Sequence, residues 1–208
     1  MKNLGIKVSS NLKWTEHLNM IKTKAFARCQ HILRSFYSKN LWTLLKAFTV
    51  YVRPLVECSS IIWNPTQIQD IKSIESVQRY YTRQIFRRCK LSYQSYLDRL
   101  YQLNIKTLEY RRVEIDIITI YKILHSLIDL KFSEFFEMYN SPYNTRRHRY
   151  SIVVKRCASK AQQSFFANRV VPVWNRLPAS LVEVKSLAEF RTKLKTFDLT
   201  AVATLVYV

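Results

Sequence analysis

The chain has 208 residues, of which 48% are apolar and only one is glycine. Such a chain can fold, unlike a disordered basic tail, and its lack of glycine argues against sandwiches, barrels and dinucleotide folds. A net charge of +20, from 34 Lys and Arg against 14 Asp and Glu, implies a polyanionic partner. We therefore expect a mainly α-helical protein that binds nucleic acid, with a membrane surface as the second choice.

Two helices are predicted near the N-terminus. The first begins near Ser10 or Asn11, and its apolar positions from Trp14 to Phe36 recur at spacings of three and four residues. The second covers about 41–52 and ends or kinks at Pro54, because proline supplies no backbone N–H.

A third helix is predicted over about 66–88, followed by a shorter helical piece, "YQSYLDRLYQL", and a long helix over about 108–127 with Thr107 as its cap. The apolar spacing of the third helix gives it a buried side. That side consists of Ile71, Ile74, Val77, Tyr81 and Ile85. The opposite side carries Arg79, Arg83 and Arg87.

The pattern changes beyond residue 138. Turn residues and a basic cluster precede "YSIVV" (150–154), whose composition indicates a short strand. A short helix over 159–170 and a last helix over about 186–197 follow. We expect two domains: a helical bundle over 1–138, and a smaller α-rich segment with a short strand pair over 139–208.

Two similar phrases, "IIWNP" and "VPVWNRLP", lie more than a hundred residues apart. In each, a tryptophan precedes an asparagine, with a proline one or three residues further on. This arrangement suits a segment end where Trp63 or Trp174 packs inward while Asn and Pro turn the chain outward. We interpret both phrases as structural anchors, with Arg169 and Arg176 able to reach a phosphate.

Catalytic and metal-binding patterns are not evident. No two aspartates are adjacent, and we expect the carboxylates to be solvated surface charges that do not converge on metal ions. His17 and His31 lie on the first basic helix, where a structural or phosphate-contacting role is expected. The cysteines lack metal or redox spacing and are expected to be small core residues. They are Cys29, Cys58, Cys89 and Cys157.

Basic residues are concentrated in stretches that contain no acid, between Glu16 and Glu57 and between Glu137 and Glu183. Ordinary soluble surfaces intersperse both signs, so these stretches indicate contact with phosphates. The predicted nucleic-acid-binding residues are Lys22, Lys24, Arg28, Arg34, Lys39, Arg79, Arg83, Arg87, Arg88, Arg146, Arg147 and Arg149. Nearby aromatic residues are candidates for stacking on bases. They are Phe36, Tyr37, Tyr80, Tyr81, Tyr143 and Tyr150.

Five phrases occur in the order in which they stand in one family of retrotransposon proteins. They are "LGIKVSSNLKWTEHL", "VYVRPLVECSSIIWNP", "IESVQRYYTRQIF", "LEYRRVEIDIITIYKILH" and "SFFANRVVPVWNRLPASLVEVKSLAEFRTKL". Together they make the chain resemble the C-terminal, thumb and post-polymerase portion of non-LTR (LINE-type, jockey-like) reverse transcriptases. The resemblance covers about residues 3–197, and the final "TAVATLVYV" falls outside it.

The resemblance implies a fragment of an RNA-directed DNA polymerase that grips template–primer or target DNA. The family's aromatic-x-Asp-Asp motif is missing, so the chain is expected to be inactive alone, with Mg²⁺ needed only by the missing palm and no cofactor in this chain. RNA, DNA, an RNA–DNA hybrid and a catalytic polymerase chain are the implied partners.

No apolar run approaches the roughly 20 residues of a spanning helix, and the first residues lack a signal-peptide core. We therefore expect an intracellular protein, nuclear or cytoplasmic and not secreted, with no membrane partner. Two alternatives stay open: a helical scaffold that docks onto a palm or an acidic protein, and a non-functional pseudogene product.

Overall fold

The computed structural model describes residues 2–3, 5–10, 13–139 and 148–207. It is mainly helical, which confirms the predicted fold class. The helices are α1 (Thr15–Ser35), α2 (Leu41–Tyr51), α3 (Arg53–Glu57), α4 (Ser60–Trp63), α5 (Ile68–Arg88), α6 (Tyr96–Gln102), α7 (Leu108–Leu124), α8 (Phe132–Phe135), α9 (Lys160–Ser164), α10 (Phe166–Trp174), α11 (Ala179–Val182) and α12 (Leu187–Thr196), followed by a 3₁₀ helix (Leu199–Ala201). Two short strands, β1 (Lys2–Asn3) and β2 (Ile6–Lys7), pair antiparallel.

The chain forms two compact units. Unit 1 comprises the residues up to Arg111 together with Tyr207, and unit 2 comprises Arg112–Val206. The division therefore falls within α7, whereas the sequence places a domain boundary at residue 138 or 139. That boundary stays a prediction, and the residues 140–147 beside it lie outside the described part of the chain.

Unit 1 is built on α1 and α5, which pack against each other. Both helices pack against α2, and α1 also packs against α3. The predicted buried side of α5 is confirmed, because each of its five apolar positions is at most 7% exposed. An apolar stripe with the 3.6-residue helical period holds α5 against the core. The opposite face of the helix carries Arg79, Arg83 and Arg87, which are exposed.

Several local predictions about helix ends are confirmed and one is wrong. Thr107 caps α7, with its hydroxyl accepting a hydrogen bond from the Tyr110 backbone N–H at 3.1 Å. Pro54 lies in the first turn of α3, where its missing N–H costs nothing. The helix predicted to start near Ser10 begins only at Thr15. Asn11, the other predicted start, lies outside the described residues.

The strand predicted at 150–154 is reduced in unit 2 to one isolated bridge, between Met138 and Ile152. The bridge uses the neighbouring backbone groups: the Tyr139 N–H donates to the Ser151 carbonyl at 2.9 Å, and the Val153 N–H donates to the Glu137 carbonyl at 2.8 Å. The backbone groups of Ile152 itself point to the opposite edge of the segment, where a side chain takes them. The Asn175 Oδ1 atom accepts from the Ile152 N–H at 2.9 Å, and its Nδ2 atom donates to the Ile152 carbonyl at 2.7 Å. Asn175 therefore occupies the edge opposite Met138, so a further strand cannot pair there.

Both tryptophan phrases are structural anchors, as predicted. Trp63 and Trp174 are fully buried, and their indole N–H groups donate to the carbonyls of Cys58 at 2.8 Å and of Tyr150 at 2.9 Å. The predicted helix over 159–170 is instead two helices that meet at Phe165, and the second continues through the phrase "VPVW".

The prediction for the cysteines is confirmed for Cys29, which is fully buried, and holds in part for Cys89, which packs against the core of unit 1. Cys58 is exposed, and Cys89 and Cys157 are partly exposed. Burial raises the pKa of the Cys29 thiol to about 12, so this residue behaves as an inert apolar side chain.

Candidate nucleic-acid interface

Helices α1 and α5 each carry four of the nine predicted nucleic-acid-binding residues of unit 1. Lys24, Arg28 and Arg34 are exposed on α1, whereas Lys22 is partly buried and donates to the Ser73 hydroxyl of α5 at 3.0 Å. The ten residue steps from Lys24 to Arg34 span about 15 Å of helix. Phosphates of one strand are about 3.4 Å apart along the axis of a duplex. This part of α1 is therefore long enough to lie beside several of them.

One flank of α1 forms a groove with α5, called here the α1–α5 groove, with a volume of about 520 Å³. Arg34 belongs to the α1 wall, and Arg87 and Arg88 belong to the α5 wall. The groove is lined by Gln30, Leu33, Arg34, Tyr80, Gln84, Arg87 and Arg88. Folding thus brings three of the predicted binding residues together from positions more than fifty residues apart.

Arg88 has a structural partner in this groove. Its guanidinium donates to the Phe36 carbonyl at 2.6 Å and to the Leu33 carbonyl. These groups lie at the C-terminal end of α1, where the helix dipole favours a positive charge. Arg88 therefore fastens α1 to α5, while Arg34 and Arg87 remain exposed.

A second groove, called here the α1–α3 groove, has a volume of about 490 Å³. Lys24, Arg28 and His31 contribute to it from α1, together with Ala27, and Leu55 contributes from α3. His31 is exposed here and fits the predicted contact with phosphate. His17 does not: it is buried against Trp63, and burial lowers its pKa, which favours the neutral ring.

Charges of only one sign face these two grooves. Among the described residues, no carboxylate lines either groove. Within the same part of the chain, Lys24, Arg28, Arg34 and Arg87 form no ion pair. The positive charges of α1 are therefore not neutralised locally and are able to contact phosphate oxygens.

Of the remaining predicted residues of unit 1, two are exposed at the surface and one contacts aromatic side chains of the protein. Arg83 is exposed on α5, and Lys39 is exposed between α1 and α2. Arg79 donates to the Tyr207 hydroxyl at 2.8 Å, and its guanidinium lies 5.1 Å from the Tyr96 ring centre and 5.2 Å from that of Tyr207. Arg79 is consequently held between two aromatic rings.

In unit 2, Arg149 is exposed and its backbone N–H donates to a carboxylate oxygen of Glu183 at 3.3 Å. Arg146 and Arg147, which the sequence places in the same basic cluster, lie outside the described residues. Arg169 does not reach outward to a phosphate as predicted. Its guanidinium donates both Nε and Nη2 to Asp116 at 2.9 Å, in a pair that is nearly buried.

Asp116 also corrects the expectation that all carboxylates are solvated, as do Glu75 and Glu109, because all three are buried. Glu75 accepts hydrogen bonds from the Tyr96 hydroxyl and from the first backbone N–H groups of α7. Each of these three acids thus has an internal partner, which for Glu109 is the backbone N–H of Tyr207 at 3.4 Å. In the described part of the chain, no group of three or more His, Cys, Asp and Glu side chains is arranged to hold a metal ion.

The predicted stacking residues differ in exposure. Tyr37 is 91% exposed and Tyr80 lines the α1–α5 groove, but Tyr81 is buried and donates to the Leu44 carbonyl, so it cannot stack on a base. Tyr143 lies outside the described residues. Sequence reasoning missed two tyrosines of unit 1 that are about as exposed as Tyr37. These are Tyr93, which precedes α6, and Tyr101, which lies on it.

None of the described helices has both the length and the apolar character needed to cross a membrane. This finding agrees with the absence of a long apolar run in the sequence.

The chain is similar to the uncharacterized protein B0403.1 of Caenorhabditis elegans, with 33% identity over 113 residues. The similar region covers 54% of this chain and 57% of that protein, so the chain spans little more than half of its relative's length. No protein-family model matches the chain, and no solved structure matches it.

Proposed function

We propose that the chain binds nucleic acid through phosphate contacts made by α1 and α5. The observation that carries this proposal is the pair of grooves on the two flanks of α1. Each groove has at least two exposed cations without ion-pair partners, and no carboxylate of the described residues lines either one. An ordinary solvated surface would intersperse acids among these bases.

Phosphate contacts of this kind fix the position of a strand without reading its sequence. They displace condensed counterions, so the affinity falls with salt in proportion to the number of phosphates contacted. Lys24, Arg28, Arg34 and Arg87 are the residues proposed to make these contacts, with Lys39 and Arg83 as further exposed cations of unit 1.

We further propose that the chain descends from the C-terminal portion of a non-LTR retrotransposon reverse transcriptase. The support is the order of five phrases and their extent over residues 3–197. On this proposal the chain grips template–primer or target DNA in the nucleus or cytoplasm, lacks the catalytic palm, and needs no Mg²⁺ of its own. RNA, DNA and an RNA–DNA hybrid are the proposed ligands, and a polymerase chain is a proposed partner.

The test is a fluorescence anisotropy titration with a labelled 20-base-pair RNA–DNA hybrid between 50 and 300 mM KCl. The double variants Arg34→Gln/Arg87→Gln and Lys24→Gln/Arg28→Gln each remove two proposed contacts. Each is expected to lower the slope of log affinity against log salt by about 1.5, since one phosphate contact contributes about 0.7–0.9.

A matched control is Lys46→Gln/Lys72→Gln, which removes two exposed lysines of unit 1 that line neither groove. Its slope should remain within about 0.5 of the wild-type value if the grooves hold the strand. Failure of the wild-type chain to bind at 50 mM KCl would overturn the proposal. An equal loss of slope in all three variants would mean that net charge, and not the grooves, produces binding.

A second candidate function is docking to a protein, which one observation favours. On α2, Trp42 is 58% exposed and Val50 is 52% exposed, two turns apart with Lys46 between them. Exposed large apolar residues at helical spacing are typical of a docking face. Trp42→Ser/Val50→Ser should abolish binding to a separately expressed polymerase palm without changing the affinity for nucleic acid.

A further inference from the structure

The α1–α5 groove contains polar groups that a simple phosphate site does not need. Gln30 and Gln84 each present an amide that both donates and accepts hydrogen bonds, and Tyr80 adds a ring and a hydroxyl. Within the described residues, none of these three side chains forms a hydrogen bond to another part of the chain. Their hydrogen-bonding capacity is available to a ligand.

The cations of the groove are placed at its two walls. Arg34 projects from α1 and Arg87 from α5, and both are exposed. Arg88 is occupied by the end of α1, so it adds positive charge and fixes the spacing of the walls. A phosphate between the two walls would receive charge-assisted hydrogen bonds from two guanidinium groups.

The ring of Tyr80 is held in place by a neighbour. Its centre lies 5.3 Å from that of Phe26, and the side chain is only partly buried. A tyrosine fixed on one side and accessible on the other is suited to contact a base, since every base offers an aromatic face. The groove volume of about 520 Å³ falls in the range of small-ligand sites.

These features differ from what a duplex requires. In a duplex the hydrogen-bonding edges of the bases are paired, and only phosphates and groove edges are accessible. Unpaired bases expose those edges, and proteins recognise them by amide hydrogen bonds and aromatic stacking. A groove that combines amides, a partly exposed ring and two guanidinium groups therefore fits an unpaired nucleotide.

We propose that the α1–α5 groove binds one unpaired nucleotide of a nucleic-acid strand. Its phosphate lies between Arg34 and Arg87, its base contacts Tyr80, and the base edge hydrogen-bonds with Gln30 and Gln84. This inference rests on the proposed function and adds that unit 1 prefers single strands at this groove, with some selectivity among bases.

The test compares the affinities of labelled 12-nucleotide homopolymers, of both RNA and DNA, with that of a blunt 12-base-pair duplex at fixed salt. Gln30→Leu/Gln84→Leu keeps every charge and removes both amides. It is expected to weaken single-strand binding about tenfold, to reduce the differences among homopolymers, and to leave duplex binding and the salt slope unchanged. Tyr80→Leu should weaken single-strand binding about tenfold, whereas Tyr80→Phe retains most of the affinity.

The matched control is Gln69→Leu/Gln102→Leu, which changes two exposed glutamines outside the groove and should bind like the wild type. Circular dichroism melting identifies any variant that fails to fold. In that case the site is tested in the wild-type chain, where 4-thiouridine RNA should crosslink to peptide 80–83 or 84–87. Absence of binding to every probe would overturn the proposed function itself. Salt-dependent binding that is equal for single strands and duplex, and unaffected by Gln30→Leu/Gln84→Leu, would overturn only this inference.

Discussion

The buried ion pair of unit 2 allows a quantitative prediction. The Arg169 and Asp116 side chains are only 10% and 5% exposed, and two of their atom pairs lie 2.9 Å apart. The third guanidinium nitrogen donates to the Ser164 carbonyl at 2.7 Å. Such a pair is shielded from salt, and its attraction mainly offsets the cost of removing two charges from water.

Replacing Asp116 with Ala leaves a buried guanidinium without its carboxylate. We expect the free energy of unfolding of unit 2 to fall by about 3–5 kcal/mol, a large share of the 5–15 kcal/mol typical of a domain. Replacing both partners, in Asp116→Leu/Arg169→Met, should cost far less, because no unpaired charge remains. An exposed pair, Glu189 with Lys193 at 3.1 Å, supplies the control, and Glu189→Ala should cost less than about 0.5 kcal/mol.

Hydrogen exchange followed by mass spectrometry measures this effect separately in each unit. Peptides from α10 should lose protection in Asp116→Ala, whereas peptides from α1 report on unit 1. A change below about 1 kcal/mol in Asp116→Ala would refute the reasoning. So would a double variant as unstable as the single one, since the unpaired charge would then not be the cause.

Two further predictions concern other buried groups. Replacing Glu75 with Gln removes a charged acceptor from the Tyr96 hydroxyl and the first N–H groups of α7, and it should lower the stability of unit 1 by about 2 kcal/mol in urea unfolding. In unit 2, burial lowers the pKa of His148 despite its hydrogen bond to the Trp174 carbonyl and the nearby Glu183 carboxylate. The unfolded chain therefore binds the proton first, so stability should fall as the pH drops below about 6.5 toward the lowered native value. Urea unfolding at pH 7.5 and 5.5 should show a smaller pH dependence for His148→Gln than for the wild type.

The sequence predicts helix interiors better than helix ends or loops. The buried side of α5 could be read directly, because one apolar face at helical spacing fixes which residues are buried. The strand at 150–154 could not be excluded, since its apolar alternation is real. On the edge of this segment opposite Met138, the side chain of Asn175, from 23 residues further along, takes the place of a neighbouring strand.

The same limit applies to the candidate site. Charge and spacing predict which residues of α1 are exposed and basic, but they cannot show which cations are already engaged inside the protein. Arg88 binds the end of α1 52 residues away, Arg169 pairs with Asp116 53 residues away, and Arg79 binds Tyr207 128 residues away. Only folding separates such structural cations from those that remain available to a ligand.

The two tryptophan phrases show what the sequence resemblance can support. Trp63 and Trp174 are fully buried, and Asn175 holds a backbone segment with both atoms of its amide. Residues of this kind are constrained by packing and not by a ligand, so likeness in them carries no information about a shared activity. The proposed binding function therefore depends on the grooves of α1, where the side chains of Arg34 and Arg87 form no hydrogen bond or ion pair with the described part of the chain.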